Sequence, residues 1–335
     1  IEKCLAGASL LAQVAVSKYA DHCPLHRQEV IFGRHGADIS RKTMCGWMGQ
    51  TAELLTPLYE RLKAFVMASK VVQTDDTPVA VLDRNLPKTR TGPIWTYVRD
   101  GEHPAIVYDY TATRERAGPE MFLGKYRGYL QADAYPGYDK FFKEPERGLL
   151  EVSCWAHARR KFYDARSSDL SCAMTALAFI GLLYKIERQA RDRGSAERLA
   201  LRQRHAVPVL EELKVFLETQ RGRVLPKSPE GMAISYTLSN WAGLRRYAED
   251  GDLAIDNNAA ERSLRGVAVG RRNWTFFGSD NGGRTAAVLT SFMATCRRLK
   301  LDPFAYLHDV LGRIAEQPMT KLDELLPNNW KPAGA

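Results

Sequence analysis

Strand-forming text in this 335-residue chain lies almost wholly in one stretch, and that concentration limits the fold more than any other feature. Residues 71–82, 94–99, 105–110, 128–134 and 149–153 are β-branched or aromatic runs punctuated by Pro, Gly and Asn, the texture of short strands. From 156 to 249 the period becomes helical. Phe179, Leu182, Leu183 and Ile186 form one stripe, and Val209, Leu210, Leu213, Phe216 and Leu217 another, amid heavy Arg/Glu decoration. Such a chain draws its sheet from the first half and must then accommodate a block of helices. With 45% hydrophobic and 26% charged residues it has ample core-forming material, and its length predicts two or three packed units.

Both flanks are helical. Leu10, Leu11, Val14, Val16 and Tyr19 form an apolar stripe, and Pro24 opens a second helix through Val30, Ile31 and Phe32. After a break at 33–38, Ser40 is a natural N-cap for a helix over 41–47. A further helix covers 53–68, with Pro57 predicting a kink or a restart at Thr56. Helix, glycine-containing turn and helix, with Arg41 and Lys42 at its start, is the pattern of a helix-turn-helix and equally of a plain helical hairpin. Further on, 87–93 reads as a hairpin loop and 113–123 as a short helix. Beyond the helical block, 257–269 is expected to be helical, 273–277 extended, 279–284 a loop rich in Asn and Gly, 285–299 an amphipathic helix and 322–332 a loose tail.

A net charge of +9 and a pI near 9.2 point to a polyanionic partner. The six cysteines are scattered without a CxxC pair, as in a reduced cytosolic chain. The longest apolar stretch, 173–184, is interrupted by Thr175 and Gly181, so no membrane span is expected. The text opens at Ile1 inside helical sequence, with neither Met nor signal peptide, and is read as cropped at its front.

Three acidic segments carry the candidate chemistry. Asp75 and Asp76 are adjacent on a strand and so point to opposite faces. Asp75 shares its face with Thr77, whose hydroxyl can support a metal-binding carboxylate, which leaves Asp76 a supporting role. Asp133 ends a strand before an aromatic loop, and Glu261 opens a helix beside Arg262 and Arg265. Singly these are common strand-end and helix-start positions. In the order strand, strand, helix, within a basic chain, they form a set that can hold two divalent cations for phosphodiester chemistry. Three meandering strands, a helix and then a strand bearing an Asp is the opening order of a ribonuclease-H-like fold. The expected class is therefore α/β, a ribonuclease-H-like core with a large all-helical insertion and an N-terminal helix-turn-helix-like region. The expected divisions are 1–70, 71–155, 156–250, 251–315 and 316–335.

Arg159, Arg160, Arg262, Arg265, Arg271 and Arg272 read either as phosphate clamps or as solvated helix faces. Trp155 and Trp274 could stack on an unpaired base, although buried packing is the favoured reading. Cys154-x-x-His157 and Cys23-x-x-His26 would make four zinc ligands only if they met in space, so packing is favoured for them too. Gly278-Ser279-x-x-Gly282-Gly283 lacks the Lys-Ser/Thr ending of a phosphate loop and reads as a turn.

The segments QTDDTPVAVLD, YLQADAYPGYD, CWAHARRKFYDA and AIDNNAAERSLRGVAVGRRNWTFFGSDNGG resemble those of bacterial DDE transposases of the insertion-sequence family numbered sixty-six. The likeness runs from IEKCLAGASLLAQVAVSKYADHCPLHRQ at the front to LLPNNWK near the end. It implies that Asp75, Asp133 and Glu261 are the catalytic and metal-binding carboxylates, with two Mg2+ ions as cofactor and Mn2+ as a substitute. It implies cleavage of double-stranded DNA at transposon terminal repeats and strand transfer into target DNA. Accessory proteins encoded by the element, a homodimer in the synaptic complex, and a cytoplasmic, nucleoid-associated location complete the expectation. Members also carry a preceding region with a coiled-coil-like stretch and a cysteine-rich, zinc-finger-like segment, which this sequence lacks. The rival readings are a stand-alone ribonuclease-H-like nuclease and an inactive, regulatory DNA-binding relative using His26, Arg27, Arg34, Arg41 and Lys42.

Overall fold

A computed structural model describes residues 6–332 as a mixed α/β protein. The chain divides into two compact units, the first reaching Tyr126 and resuming at Ala259, the second spanning Arg127–Asn258.

The first unit opens with α1 (Ala8–Tyr19), α2 (Leu25–Arg34) and α3 (Arg41–Met67). It continues with β1 (Val71–Val81), β2 (Arg90–Arg99), β3 (Ala105–Tyr110) and α4 (Ala117–Leu123). The second unit holds β4 (Gly128–Ala132), α5 (Asp139–Phe142) and β5 (Leu149–Ser153), then α6 (Trp155–Asp164), α7 (Leu170–Ala190) and α8 (Ser195–Leu201). It ends with α9 (Val207–Arg221), α10 (Pro229–Ser239) and α11 (Trp241–Arg246). With α12 (Asn258–Trp274) the chain returns to the first unit, which closes with β6 (Phe276–Phe277), α13 (Asp280–Leu299) and α14 (Pro303–Arg313).

The two helices expected over 41–47 and 53–68, the second kinked at Pro57 or restarting at Thr56, are instead one 27-residue helix, α3, that runs through Pro57. Proline removes one backbone donor, and the Thr56 hydroxyl donates to the Ala52 carbonyl at 2.9 Å in the affected turn. Tertiary burial outweighs the local defect. Leu55, Leu58 and Leu62 are fully buried, and the Tyr59 hydroxyl donates to the Tyr108 carbonyl at 2.7 Å.

In the first unit β1 and β2 pair antiparallel, as do β2 and β3, and β6 adds a short parallel pair to β1. β2 begins at Arg90, so part of the expected 87–93 loop is strand. Pro78 lies opposite Pro93. Neither has an N–H, so the two sit together only where an antiparallel ladder needs no bond between opposed residues. The free edge of β3 is covered by α13. There the Ser291 hydroxyl accepts from the Tyr108 N–H at 2.8 Å, and Thr295 Oγ1 accepts from the Ile106 N–H at 3.0 Å and donates back to its carbonyl at 2.9 Å. Two hydroxyls one turn apart thus satisfy backbone groups that an edge strand leaves open.

The expected loop over 279–284 is the first turn of α13. The Ser279 hydroxyl caps it by accepting from the Gly282 N–H at 3.2 Å. Gly283 lies flat against the Tyr110 ring, and a Cβ there would stand 2.6 Å from ring carbons. Replacing Gly283 with alanine is expected to destabilise the protein by about 1–3 kcal/mol through overpacking. An unchanged urea midpoint would refute that reading of Gly283. The expected extended run over 273–277 is shorter, because Asn273 and Trp274 finish α12 and the left-handed Thr275 (φ 62°) breaks it before β6. Nor is the run over 322–332 loose. Leu322, Leu325 and Leu326 are buried, Tyr306 donates to the Leu325 carbonyl at 2.8 Å, and Trp330 Nε1 donates to Asp309 at 2.7 Å.

In the second unit β4 and β5 pair in parallel, and α6 leaves the end of β5. The sequence reading missed one property of α7. Its 21 residues are, by length and composition, apolar enough to cross a membrane. Ala173, Ala176, Ile180 and Leu183 nevertheless form a buried face, as in a core helix, while Leu170, Met174 and Leu182 are exposed.

Candidate active site

Alternation along β1 decides which of the paired aspartates faces which layer. Gln73, Asp75, Thr77, Val79 and Val81 share one face, and Val72, Thr74 and Asp76 the other. Asp75 lies opposite Thr96 of β2, and the Thr96 and Ser263 hydroxyls are 2.8 Å apart. Because Ser263 belongs to α12, the Asp75 face is the one that α12 covers. Val79, Val81, Ile94 and Val98 on that face pack with Ala260, Leu264 and Val267 of the helix. Asp75 is half-buried, and its Oδ1 accepts from the Asp76 N–H at 2.8 Å.

Asp76 faces the other way. Arg114 grips its carboxylate with Nε at 3.0 and 2.9 Å and with Nη2 at 2.7 Å. The Thr77 hydroxyl, expected to support a carboxylate, accepts from Arg271 Nη1 at 2.9 Å, and the same nitrogen donates to the Pro78 carbonyl at 2.8 Å. Arg271 therefore staples the end of α12 to β1.

Glu261 sits half-buried in the first turn of α12, one residue past the packed Ala260. Two residues further on, Ser263 is held twice. Its hydroxyl meets Thr96, and its carbonyl accepts from the Tyr108 hydroxyl at 2.7 Å. The helix that carries Glu261 is thus tied to the cross-strand neighbour of Asp75. Burial raises the Tyr108 hydroxyl pKa well above its ordinary value, so it stays a donor at every physiological pH. Sequence reasoning missed Thr96, Tyr108 and Ser263; the only available signal was a polar residue between two apolar helix positions.

Asp133 belongs to the second unit, at the end of β4. It is half-buried, its carbonyl accepts from the Tyr236 hydroxyl at 3.4 Å, and the next residue, Ala134, is left-handed (φ 61°). Arg159 and Arg160 are exposed on α6 of that unit. Trp155 is fully buried and donates to the Leu244 carbonyl at 2.8 Å, the packing role favoured from sequence. Cys154 and His157 lie in this unit, Cys23 and His26 in the first. Burial pushes the Cys154 thiol up to about 12, the setting of a packed cysteine.

Of the remaining basic candidates, Arg41, Lys42, Arg262, Arg265 and Arg272 are exposed. Trp274 stacks on Phe277 with ring centroids 4.6 Å apart and planes 12° from parallel, packed against the core.

These features define a mixed α/β protein in which one strand and one helix each carry a carboxylate, the helix being tied by hydroxyl contacts to the next two strands of the sheet. The chain belongs to the Transposase IS66 family, whose sequence model matches residues 3–285, and the IS66 C-terminal element follows over residues 291–328. Among similar proteins are three from Sinorhizobium fredii (strain NBRC 101917 / NGR234). The uncharacterized protein y4hP is 37% identical over 98% of this chain and 63% of its own length. Uncharacterized protein y4jD is 35% identical over 98% of this chain and 66% of its own length, and y4qI is 35% identical over 99% and 64%. The chain therefore spans a little under two thirds of these relatives.

Proposed function

We propose that the chain is the catalytic portion of a DDE transposase, in which Asp75, Asp133 and Glu261 together hold two divalent cations, Mg2+ by preference and Mn2+ as a substitute. The observation that carries the reading is the anchoring of α12. The Thr96–Ser263 contact ties the helix of Glu261 to the strand neighbour of Asp75, which is what a rigid carboxylate pair requires. The donor set fits the ion, because carboxylate oxygens are the ligands that hard cations such as Mg2+ take. Bound there, the cations supply Lewis-acid stabilisation of the charge that builds on the phosphodiester.

The remaining work falls to the chain and to DNA. The carboxylates are held in place by their strand and helix, while exposed arginines such as Arg159, Arg160, Arg262, Arg265 and Arg272 hold backbone phosphates. Water attacks the phosphodiester at the element's end and frees a 3′-hydroxyl. That hydroxyl then attacks target DNA, displacing a 3′ oxygen, so no covalent protein–DNA intermediate is required. The strand and helix order supports a ribonuclease-H-like core interrupted by helices, and α2, the turn and the start of α3 support a helix-turn-helix bearing Arg41 and Lys42. Terminal repeats and target DNA are the proposed partners, with a homodimer at synapsis, element-encoded accessory proteins, and a cytoplasmic, nucleoid-associated location.

Asp133→Asn and Glu261→Gln are each expected to abolish Mg2+-dependent nicking of element-end DNA while leaving duplex binding in place. Full nicking by either variant removes that residue from the site.

A further inference from the structure

Arg262, Arg265, Arg297, Arg298, Lys300 and His22 converge on one groove of the first unit, between α12, α13 and the turn after α1. Its floor is the sheet surface at Val98, Ile106 and Tyr108, and among the described residues that line it none carries a carboxylate. Two of the cations are held in position. Arg297 donates to the Ala20 carbonyl at 3.0 Å, and Arg298 pairs with Asp100. Arg262, Arg265 and Lys300 are exposed. His22, locked in a left-handed backbone (φ 59°), has its pKa lowered by burial and then by Arg297, against the pull of Asp21.

Most of the α12 residues that line the groove lie away from the carboxylate's flank. Counting about 100° per residue from the packed Ala260, Ala259, Ser263 and Gly266, which line the groove, lie to one side and Glu261 to the other. Arg262 is on the exposed crest between them, and Arg265, one turn on from Glu261, reaches the groove from the carboxylate's side. Several cations along one groove, two held in position and three exposed, with no carboxylate among the described lining residues, fit a repeating phosphate chain better than a compact anion.

We propose that this groove is a track for the backbone of duplex DNA, on the side of α12 away from Glu261, holding a part of the DNA other than the phosphodiester being cut. The choice of DNA as the polyanion rests on the transposase reading; the track itself rests on the groove.

The test is the salt dependence of binding to a short random-sequence duplex, without divalent metal. Each lost phosphate contact lowers the slope of log K against log salt by about 0.9. The combined variant Arg262→Gln, Arg265→Gln, Lys300→Gln is therefore expected to lower the slope by about 2 to 3, and lysine at both arginine positions to restore most of it. Glu261→Gln is expected to leave the slope unchanged. An unaltered slope in the triple variant, failure of the lysine variant to restore it, or no salt-dependent binding by the wild type would overturn the proposal. Loss of slope in a protein that never nicks DNA would sustain the track and sink the transposase chemistry, so the two failures are separable.

Discussion

Asp75→Asn is expected to lose metal-dependent DNA nicking by about a thousandfold or more, while Asp76→Asn, one residue away, keeps it. The contrast follows from the pleat. Asp75 faces α12 and Asp76 faces Arg114, so a single position in sequence separates the two layers. Removing one charged ligand forfeits several kcal/mol of transition-state stabilisation, and each ~1.4 kcal/mol is a tenfold loss in rate. Asp76→Asn acts on stability instead. Its carboxylate is 6% exposed but Arg114 is 55% exposed, so solvent screening limits the loss. A cost of about 1–2 kcal/mol is expected. Equal loss of nicking in both variants would mean that the face assignment is wrong.

The largest effect on stability is expected at Arg202, in the π-helical turn between α8 and α9. Its side chain is 1% exposed and uses all five donors. Nε and Nη2 meet the two oxygens of Glu187 at 2.9 and 2.7 Å. Nη1 reaches the carbonyls of Tyr247 and Asp250 at 2.8 and 2.7 Å, and Nη2 that of Leu253 at 2.9 Å. Arg202→Ala leaves a mostly buried carboxylate and three carbonyls without these partners, at an expected cost of about 3–5 kcal/mol. Arg202→Lys keeps the charge but loses the planar fork, so it should fall between wild type and alanine. Chemical denaturation measures both, and a loss below about 1 kcal/mol for alanine would show that the network contributes little.

Features with a short period were legible in the sequence. The strands came from β-branched and aromatic runs and their punctuation, and the opposed faces of Asp75 and Asp76 followed from the pleat alone. Features that depend on a distant partner were not legible. Arg202 looked like one more solvated arginine on a charged helix, because Glu187 and the three carbonyls that surround it come from other segments. Ser291 and Thr295 looked like polar interruptions of an amphipathic helix until the edge of β3 supplied backbone groups for them. Pro57 signalled a break that the burial of Leu55, Leu58 and Leu62 overrode. Gly282 and Gly283 suggested a loop, whereas Tyr110 requires a bare backbone within a helix. Within the candidate site the carboxylates stood out as residue types, but their supports at Thr96, Tyr108 and Ser263 did not.

The most direct measurement is nicking of labelled element-end DNA by the wild type and Glu261→Gln, with Mg2+, Mn2+, Ca2+ or EDTA. Nicking with Mg2+ and Mn2+ that disappears with EDTA and in the variant is the predicted result. Nicking that survives EDTA or the loss of Glu261, or a wild type that binds these ends and cuts with none of the metals, would contradict catalysis by this carboxylate set.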